Sequence, residues 1–319
     1  VNSIFMSLTT REDLANLIGI KDLSLRYFLF KVRPENMYSQ FNIPKRKGGY
    51  RTINAPDVRL KSIQRRLADI LTLIYVPKNC VYGFVPKRSY VNNARCHLNS
   101  QIILNIDLKD FFSQIHFGRV VGLFKAKPYE LPHEVAITIA QIACYNGHLP
   151  QGAPSSPIIT NMICKPLDNQ LFRLARDNNC IYTRYADDIT ISTKRKGFNS
   201  SIYTRDEGTD RIGDQLSEIL SGNSFLVNND KITTRNKKQR QEVTGIVVNK
   251  ISNTRREFLR KTRVLLYRCE TCGINETAKE YVEKGLCKSF RIKAYINDPK
   301  KQPEIERWFL EVLTGKVNF

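Results

Sequence analysis

Along the chain the spacing of apolar positions changes repeatedly, and each change marks an element. In residues 58–75, Leu60, Ile63, Leu67, Ile70, Leu71 and Ile74 fall on one face at helical spacing and predict an amphipathic helix. Residues 11–30 predict one or two short helices with a break at Gly19. Gln40 to Pro44 and Tyr50 to Pro56 read as two strands joined by Lys45-Arg46-Lys47-Gly48-Gly49, a basic hairpin. Ile102 to Leu108 is a short apolar strand that ends on Asp107. Residues 133–144 suit a buried helix, Leu149 to Pro157 a proline-rich loop, and residues 158–178 a helix. Ile181 to Tyr185 and Ile189 to Thr193 alternate as strands around the tight turn Ala186-Asp187-Asp188. Residues 197–213, rich in Gly, Ser, Asn and Asp, predict a loop; 214–221 predict a helix and 243–248 a strand. Beyond residue 254 the pattern is helical, basic and interrupted. Strands interleaved with helices predict an α+β fold with a helical C-terminal part.

Charge narrows the function classes. The 319 residues include 51 Lys+Arg and 30 Asp+Glu, a formal net charge of +21. That excess implies an anionic partner, with nucleic acid the leading candidate and a merely solvated basic surface the alternative. Basic residues cluster at 45–47, 65–66, 194–196, 237–240 and 255–256, spread along the chain rather than in one tail. With 41% hydrophobic residues the chain can fill a sizeable core, which excludes wholesale disorder. No apolar run reaches the roughly 18 residues of a membrane span, so no membrane partner is expected. The N-terminus has no basic region followed by a long apolar core, and a cytoplasmic location is expected. The eight cysteines are expected to be reduced and mostly buried. Cys269 and Cys272 form a single C-x-x-C with no second pair, too few ligands for the structural zinc reading.

Three carboxylates carry the candidate chemistry. An acid at a strand end between Ile106 and Leu108 is costly unless it is paired or bound to a cation. Asp187 and Asp188 repel each other on their turn, and a divalent cation removes that repulsion. If the two strands are neighbours, Asp107 and Asp187 converge, and hard oxygen ligands suit Mg²⁺. Two such ions could clamp the attacking and leaving oxygens of an in-line phosphoryl displacement. The plainer alternative is an ordinary hairpin with Asp at turn positions.

The residues resemble the reverse transcriptases. Tyr185-Ala186-Asp187-Asp188 is similar to that family's YxDD box, and Leu104 to Phe112 (LNIDLKDFF) to its first acidic motif. Leu149 to Pro157 (LPQGAPSSP) resembles the Q-G-x-P-x-S-P loop; Asn229 to Lys231 and Val243 to Asn249 resemble the two motifs that follow the hairpin. The order and spacing fit over roughly residues 40–250. Within the family the chain resembles bacterial retron enzymes most: Asn93-Ala-Arg-Cys-His97 is similar to their N-A-x-x-H element and Val243-Thr244-Gly245 to their V-T-G element.

The resemblance implies a right-hand polymerase fold. N-terminal helices and fingers would occupy 1–105. A palm over 106–250 would hold an antiparallel sheet with helices on one face, part of the fingers being interleaved near 115–150. A mostly helical thumb would occupy 251–319. The family's thumb continues past the point matching Phe319, so this one is expected to be incomplete or short. Asp107, Asp187 and Asp188, with the backbone of Leu108, would hold two Mg²⁺ ions, and Lys231 would protonate the pyrophosphate. Lys45, Arg51, Phe112, Gln151 and Gly152 would bind the deoxynucleoside triphosphate, with Phe112 closing the sugar pocket against a 2′-hydroxyl. Asn93, His97, Val243, Thr244, Gly245, Arg255 and Arg256 would contact RNA.

The implied function is copying part of a cognate structured non-coding RNA into DNA. Priming from an RNA 2′-hydroxyl would give a branched RNA–DNA hybrid (msDNA), in an anti-phage defence system with a separate effector protein. Two alternatives remain, a group II intron-like reverse transcriptase and a catalytically idle RNA-binding module.

Overall fold

The computed structural model describes residues 2–318 apart from 33, 46, 47, 207, 288 and 297, together with all described side chains except those of 34, 35 and 290. Arg46 and Lys47 of the predicted basic turn therefore lie outside the described residues. The fold is α+β, and the chain divides into two compact units, residues 1–244 with 248–250, and residues 245–247 with 251–319.

In chain order the first unit contains strands β1 (Tyr38–Pro44), β2 (Tyr50–Pro56), β3 (Ile102–Asp107), β4 (Cys180–Tyr185), β5 (Asp188–Thr193), β6 (Tyr203–Asp206), β7 (Thr209–Ile212) and β8 (Thr233–Asn236). Four of them form an antiparallel sheet in the order β4-β5-β3-β8. Side chains alternate across a strand, so register decides what each face carries. Leu104, Ile106, Tyr182, Ile189 and Ile191 share one face and enter the main hydrophobic core. Helices Val58–Ile74, His133–Ala143 and Lys165–Asp177 contribute their apolar residues to that core. The opposite face is polar: Asn105, Thr183, Thr190 and Ser192 lie on it, and it ends at Asp107 and Asp188.

The helix over 58–74 starts where predicted because Asp57 caps it, its Oδ1 accepting from the Leu60 amide at 2.7 Å. Gly19 ends helix Arg11–Ile18 at φ 77°, a left-handed position that suits glycine. Three expectations are corrected. The helix predicted over 158–178 is two helices, Ser156–Ile163 and Lys165–Asp177. Pro166 lies in the second one's first turn, where a proline ring is tolerated but cannot sit inside a continuous helix. The loop predicted over 197–213 contains the β6–β7 hairpin, tied by the Tyr203 hydroxyl donating to Asp210 at 2.6 Å. The strand predicted over 243–248 is broken into Glu242–Val243 and Ile246–Val247 by Thr244 and Gly245, at φ 47° and 85°.

The second unit is helical: Arg256–Cys272, Ile274–Glu283, Phe290–Tyr295 and Gln302–Val317. They enclose a small core of Ala278, Val282, Cys287, Ile292, Ile305, Phe309 and Leu313. All eight cysteines are free, three of them buried and Cys272 exposed. Among the described residues no helix is long and apolar enough to cross a membrane.

Candidate active site

The antiparallel register decides the first point. Asp107 at the end of β3 pairs directly with Asp188 at the start of β5, and both project from the polar face. The Leu108 amide donates to the Asp187 carbonyl at 3.1 Å, so the two acidic segments are joined by backbone as well. Ala186 holds φ 56° in the tight turn that leads into Asp187 and Asp188, whose carboxylates are near enough for the charge of Asp187 to act on Asp188. Asn228 approaches from a third segment, its amide donating to the Asp107 carbonyl at 2.9 Å. Three residues on, the ammonium of Lys231 is ion-paired with the Asp107 carboxylate.

The electrostatics follow from that crowding. Burial, and then the charges of Asp187 and Asp107, push the Asp188 carboxyl up to about 7. Burial and Asp107 also raise Asp187, against its own backbone hydrogen bond and the positive charges of Arg51 and Lys231. Three acids thus share one flanking lysine and a more distant arginine. The donor set is all hard oxygen, and its excess negative charge suits a divalent cation. Among the described residues no three His, Cys, Asp or Glu side chains stand as a ready-made metal group, and Lys231 occupies Asp107.

Other predicted residues surround this centre. The β1–β2 hairpin carries Lys45 and Arg51, both exposed, with Arg51 opposite Ile43. The hairpin is locked to the 149–157 loop: the Asn54 amide donates to the Gln151 carbonyl at 2.9 Å, and a Cβ on Gly152 would come within 2.6 Å of the Asn54 carbonyl oxygen. Gly152 has φ 133°, which a side chain would strain. Phe112 is half-buried, its ring 5.7 Å from buried Phe111 and 6.1 Å from exposed Phe84.

Three predicted RNA contacts, Asn93, His97 and Val243, are buried in this structure instead of facing solvent. His97 is fully buried, bolted across the polar face between Ser192 Oγ and Thr183 Oγ1 at 2.7 Å each, and burial drives its pKa down to about 3. Asn93 is buried as well, in the helix Tyr90–Arg95. Neither has a side-chain face to offer RNA. Val243 is also buried, whereas the Thr244 hydroxyl donates to the Tyr90 carbonyl at 3.2 Å, which ties the V-T-G element to the helix that carries Asn93. Gly245 is exposed. In the second unit, exposed Arg255 and Arg256 begin the first helix.

A sequence model of the family described as "Reverse transcriptase (RNA-dependent DNA polymerase)" matches residues 43–248, which span every element of this centre. The chain belongs to the reverse transcriptase family. Among curated reverse transcriptases it is 33% identical over 280 residues to the retron Mx65 reverse transcriptase of Myxococcus xanthus, covering 81% of this chain and 62% of that relative. It is 34% identical over 260 residues to the retron Mx162 reverse transcriptase of the same organism, covering 76% and 54%. The matched stretch thus spans a little over half the length of these curated relatives. Among solved structures, apo telomerase from Candida tropicalis aligns with a TM-score of 0.50 at 12% identity, over 89% of this chain and 57% of that one, a likeness of fold alone.

Sequence reasoning missed one group of the reverse transcriptase chain. Arg184, just before the acidic turn, is fully buried on the core face of β4. Its Nε and Nη2 fork onto the two oxygens of fully buried Asp168 at 2.8 and 2.7 Å. Its Nη1 donates to Asn161 Oδ1 and to the Ala186 carbonyl, both at 3.1 Å. The Tyr182 hydroxyl donates to Asp168 Oδ1 at 2.7 Å, and Asn161 Nδ2 to the Gly83 carbonyl at 2.9 Å. The available signal was an arginine at an inward position of an otherwise core-facing strand, two residues after Tyr182.

Proposed function

We propose that the chain is the polymerase part of a retron-type reverse transcriptase, an RNA-directed DNA polymerase that copies part of a cognate structured RNA. The observation that carries the reading is the register pair of Asp107 with Asp188 at the open end of the polar face, beside Asp187. In this reading the first unit supplies fingers and palm and the second a thumb. Asp107, Asp187, Asp188 and the Leu108 backbone would hold two Mg²⁺ ions. Bound there, they would neutralise phosphate charge and lower the pKa of the primer hydroxyl.

The chain's own residues do the rest. Arg51 and Lys45 hold the triphosphate, the arginine through forked contacts and the lysine as a point charge. Gln151 and Gly152 present backbone close to the incoming nucleotide, which the missing Cβ permits. The Phe112 ring excludes a 2′-hydroxyl by repulsion. Lys231 holds a proton at Nζ next to Asp107 and delivers it to the departing pyrophosphate. Catalysis is positioning and charge neutralisation of an in-line displacement.

The finer reading is that synthesis starts from a 2′-hydroxyl of the structured RNA, giving a branched RNA–DNA hybrid, in the cytoplasm, within an anti-phage system that has a separate effector. The retron elements and the relatives named above support it. The test is primer extension on an RNA template with Mg²⁺, comparing wild type with Asp187→Asn. Incorporation should fall on the order of 10³-fold, as for loss of a charge at the reacting atoms; equal incorporation overturns the polymerase reading. Sequencing the copurifying nucleic acid separates a branched hybrid from an intron RNA, which would place the enzyme with group II introns instead.

A further inference from the structure

The catalytic turn is gripped from below by a polar network that touches no substrate. The Arg184 guanidinium makes four hydrogen bonds inside the core: two to Asp168, one to Asn161 and one to the Ala186 carbonyl, which belongs to the turn itself. Asp168 stands on helix Lys165–Asp177 and Asn161 on helix Ser156–Ile163, so the turn is referred to two helices at once. Asn161 passes the connection on to the Gly83 carbonyl.

The segment around Gly83 closes the grip from the other side. The Tyr82 amide donates to the Arg184 carbonyl and the Arg184 amide to the Cys80 carbonyl, each at 2.8 Å. A Cβ on Gly83 would lie 2.3 Å from the Ala186 nitrogen and 2.9 Å from the Tyr185 carbonyl carbon. The next residue, Phe84, holds φ 58° and sets its ring against Phe112. Backbone of the acidic turn and the side wall of the nucleotide pocket therefore share one support.

Burial pulls the Arg184 guanidinium pKa down, but the charge and hydrogen bonds of Asp168 more than offset it, so the net shift is upward. A fully buried ion pair is weak evidence for added stability, since well-packed apolar residues often serve as well. Its forked geometry instead fixes direction. The geometry points to Arg184 as a positioning residue: with Asp168 and Asn161 it fixes the Ala186 carbonyl, and through it the aim of the Asp187 and Asp188 carboxylates. This rests on the polymerase reading, because the turn must act on a cation and a nucleotide for its aim to matter.

Three chains test it: wild type, Arg184→Lys, and the apolar triple variant Arg184→Met, Asp168→Leu, Tyr182→Phe. The lysine keeps the charge but cannot fork onto Asp168 while reaching Asn161 and Ala186. The triple variant removes all three polar side chains together, so no buried charge is orphaned. Thermal unfolding fixes a temperature at which each chain is folded. There, primer extension gives kcat and the KM for dNTP, and Mn²⁺ binding is followed by the loss of its free-ion paramagnetic resonance signal. A misplacement of about 1 Å costs on the order of 10²-fold in rate. Both variants should therefore lose about 10- to 100-fold in kcat and bind Mn²⁺ several-fold more weakly, with the KM for dNTP little changed. A folded variant of either kind with wild-type kcat and wild-type Mn²⁺ affinity overturns the proposal and leaves Arg184 a packing residue. A wild-type chain that incorporates no dNTP overturns the polymerase reading instead. The Mn²⁺ comparison still decides the positioning role in that case, equal affinity in wild type and folded variants overturning it.

Discussion

Two charge clusters lie on opposite faces of the same hairpin, and they are built to opposite rules. Arg184 and Asp168 are both fully buried and cancel, with every hydrogen bond of the fork satisfied. Asp107, Asp187 and Asp188 are three acids with one ammonium, on residues that solvent still reaches although their carboxyls crowd together. Burial without balance would be ruinous in the core, and balance without access to solvent would be useless at a site proposed to take a cation. The difference teaches how to tell scaffold from site when both contain buried or crowded acids: what matters is the charge left over and its access to water.

The comparison can be broken most sharply at Asp168. Asp168→Ala strands the Arg184 charge in the core and should destabilise the fold by about 3–5 kcal/mol, read from denaturant midpoints. A loss under about 1 kcal/mol would mean the pair is not the closed system described. On the open side, added Mg²⁺ should stabilise the protein by about 2.7 kcal/mol at a hundredfold excess over its Kd. In thermal unfolding Asp187→Asn should abolish that gain. A steric change sharpens the contrast, since it leaves both charge sets intact. Phe112→Ala should lower the preference for dNTP over rNTP by about tenfold or more, measured as the ratio of kcat/KM values; unchanged sugar discrimination would remove Phe112 from the pocket.

The last effect is a slope. The Asp188 carboxyl is raised to about 7 in the folded chain from 3.8. Between those values the folded protein holds a proton that the unfolded chain has released, so stability falls as pH rises from about 4 to 7. Asp188→Asn should flatten that part of the stability–pH profile, and Mg²⁺ should offset it near pH 7. Asp168 offers the opposite sign for its own substitution, a loss of stability rather than a gain.

Much of this was legible in the sequence where one residue type has one explanation. Asp107 at a strand end and Asp187-Asp188 at a turn were placed by alternation alone, and the antiparallel register then brought them together. Helix 58–74 and the hairpin 38–56 followed from period and turn chemistry. What stayed hidden depended on partners distant in sequence. His97 looks like a surface ligand until Thr183 and Ser192 are known to flank it. Arg184 looks like one more basic residue in a chain of charge +21, until Asp168 is found sixteen positions earlier on the facing helix. The hairpin at 203–212 was concealed by polar composition, which describes its exposed strands but not their pairing.

Gly83 carries a consequence for mutational tolerance. It meets no nucleotide in the proposed reading, yet the space for one additional carbon atom is taken by the backbone at Ala186. A saturation screen scored for DNA synthesis alone would rank it beside the acids it supports. Scoring cellular abundance in parallel would pull the two apart: replacements at 187 would accumulate as inert protein, whereas bulky ones at 83 would also thin the supply.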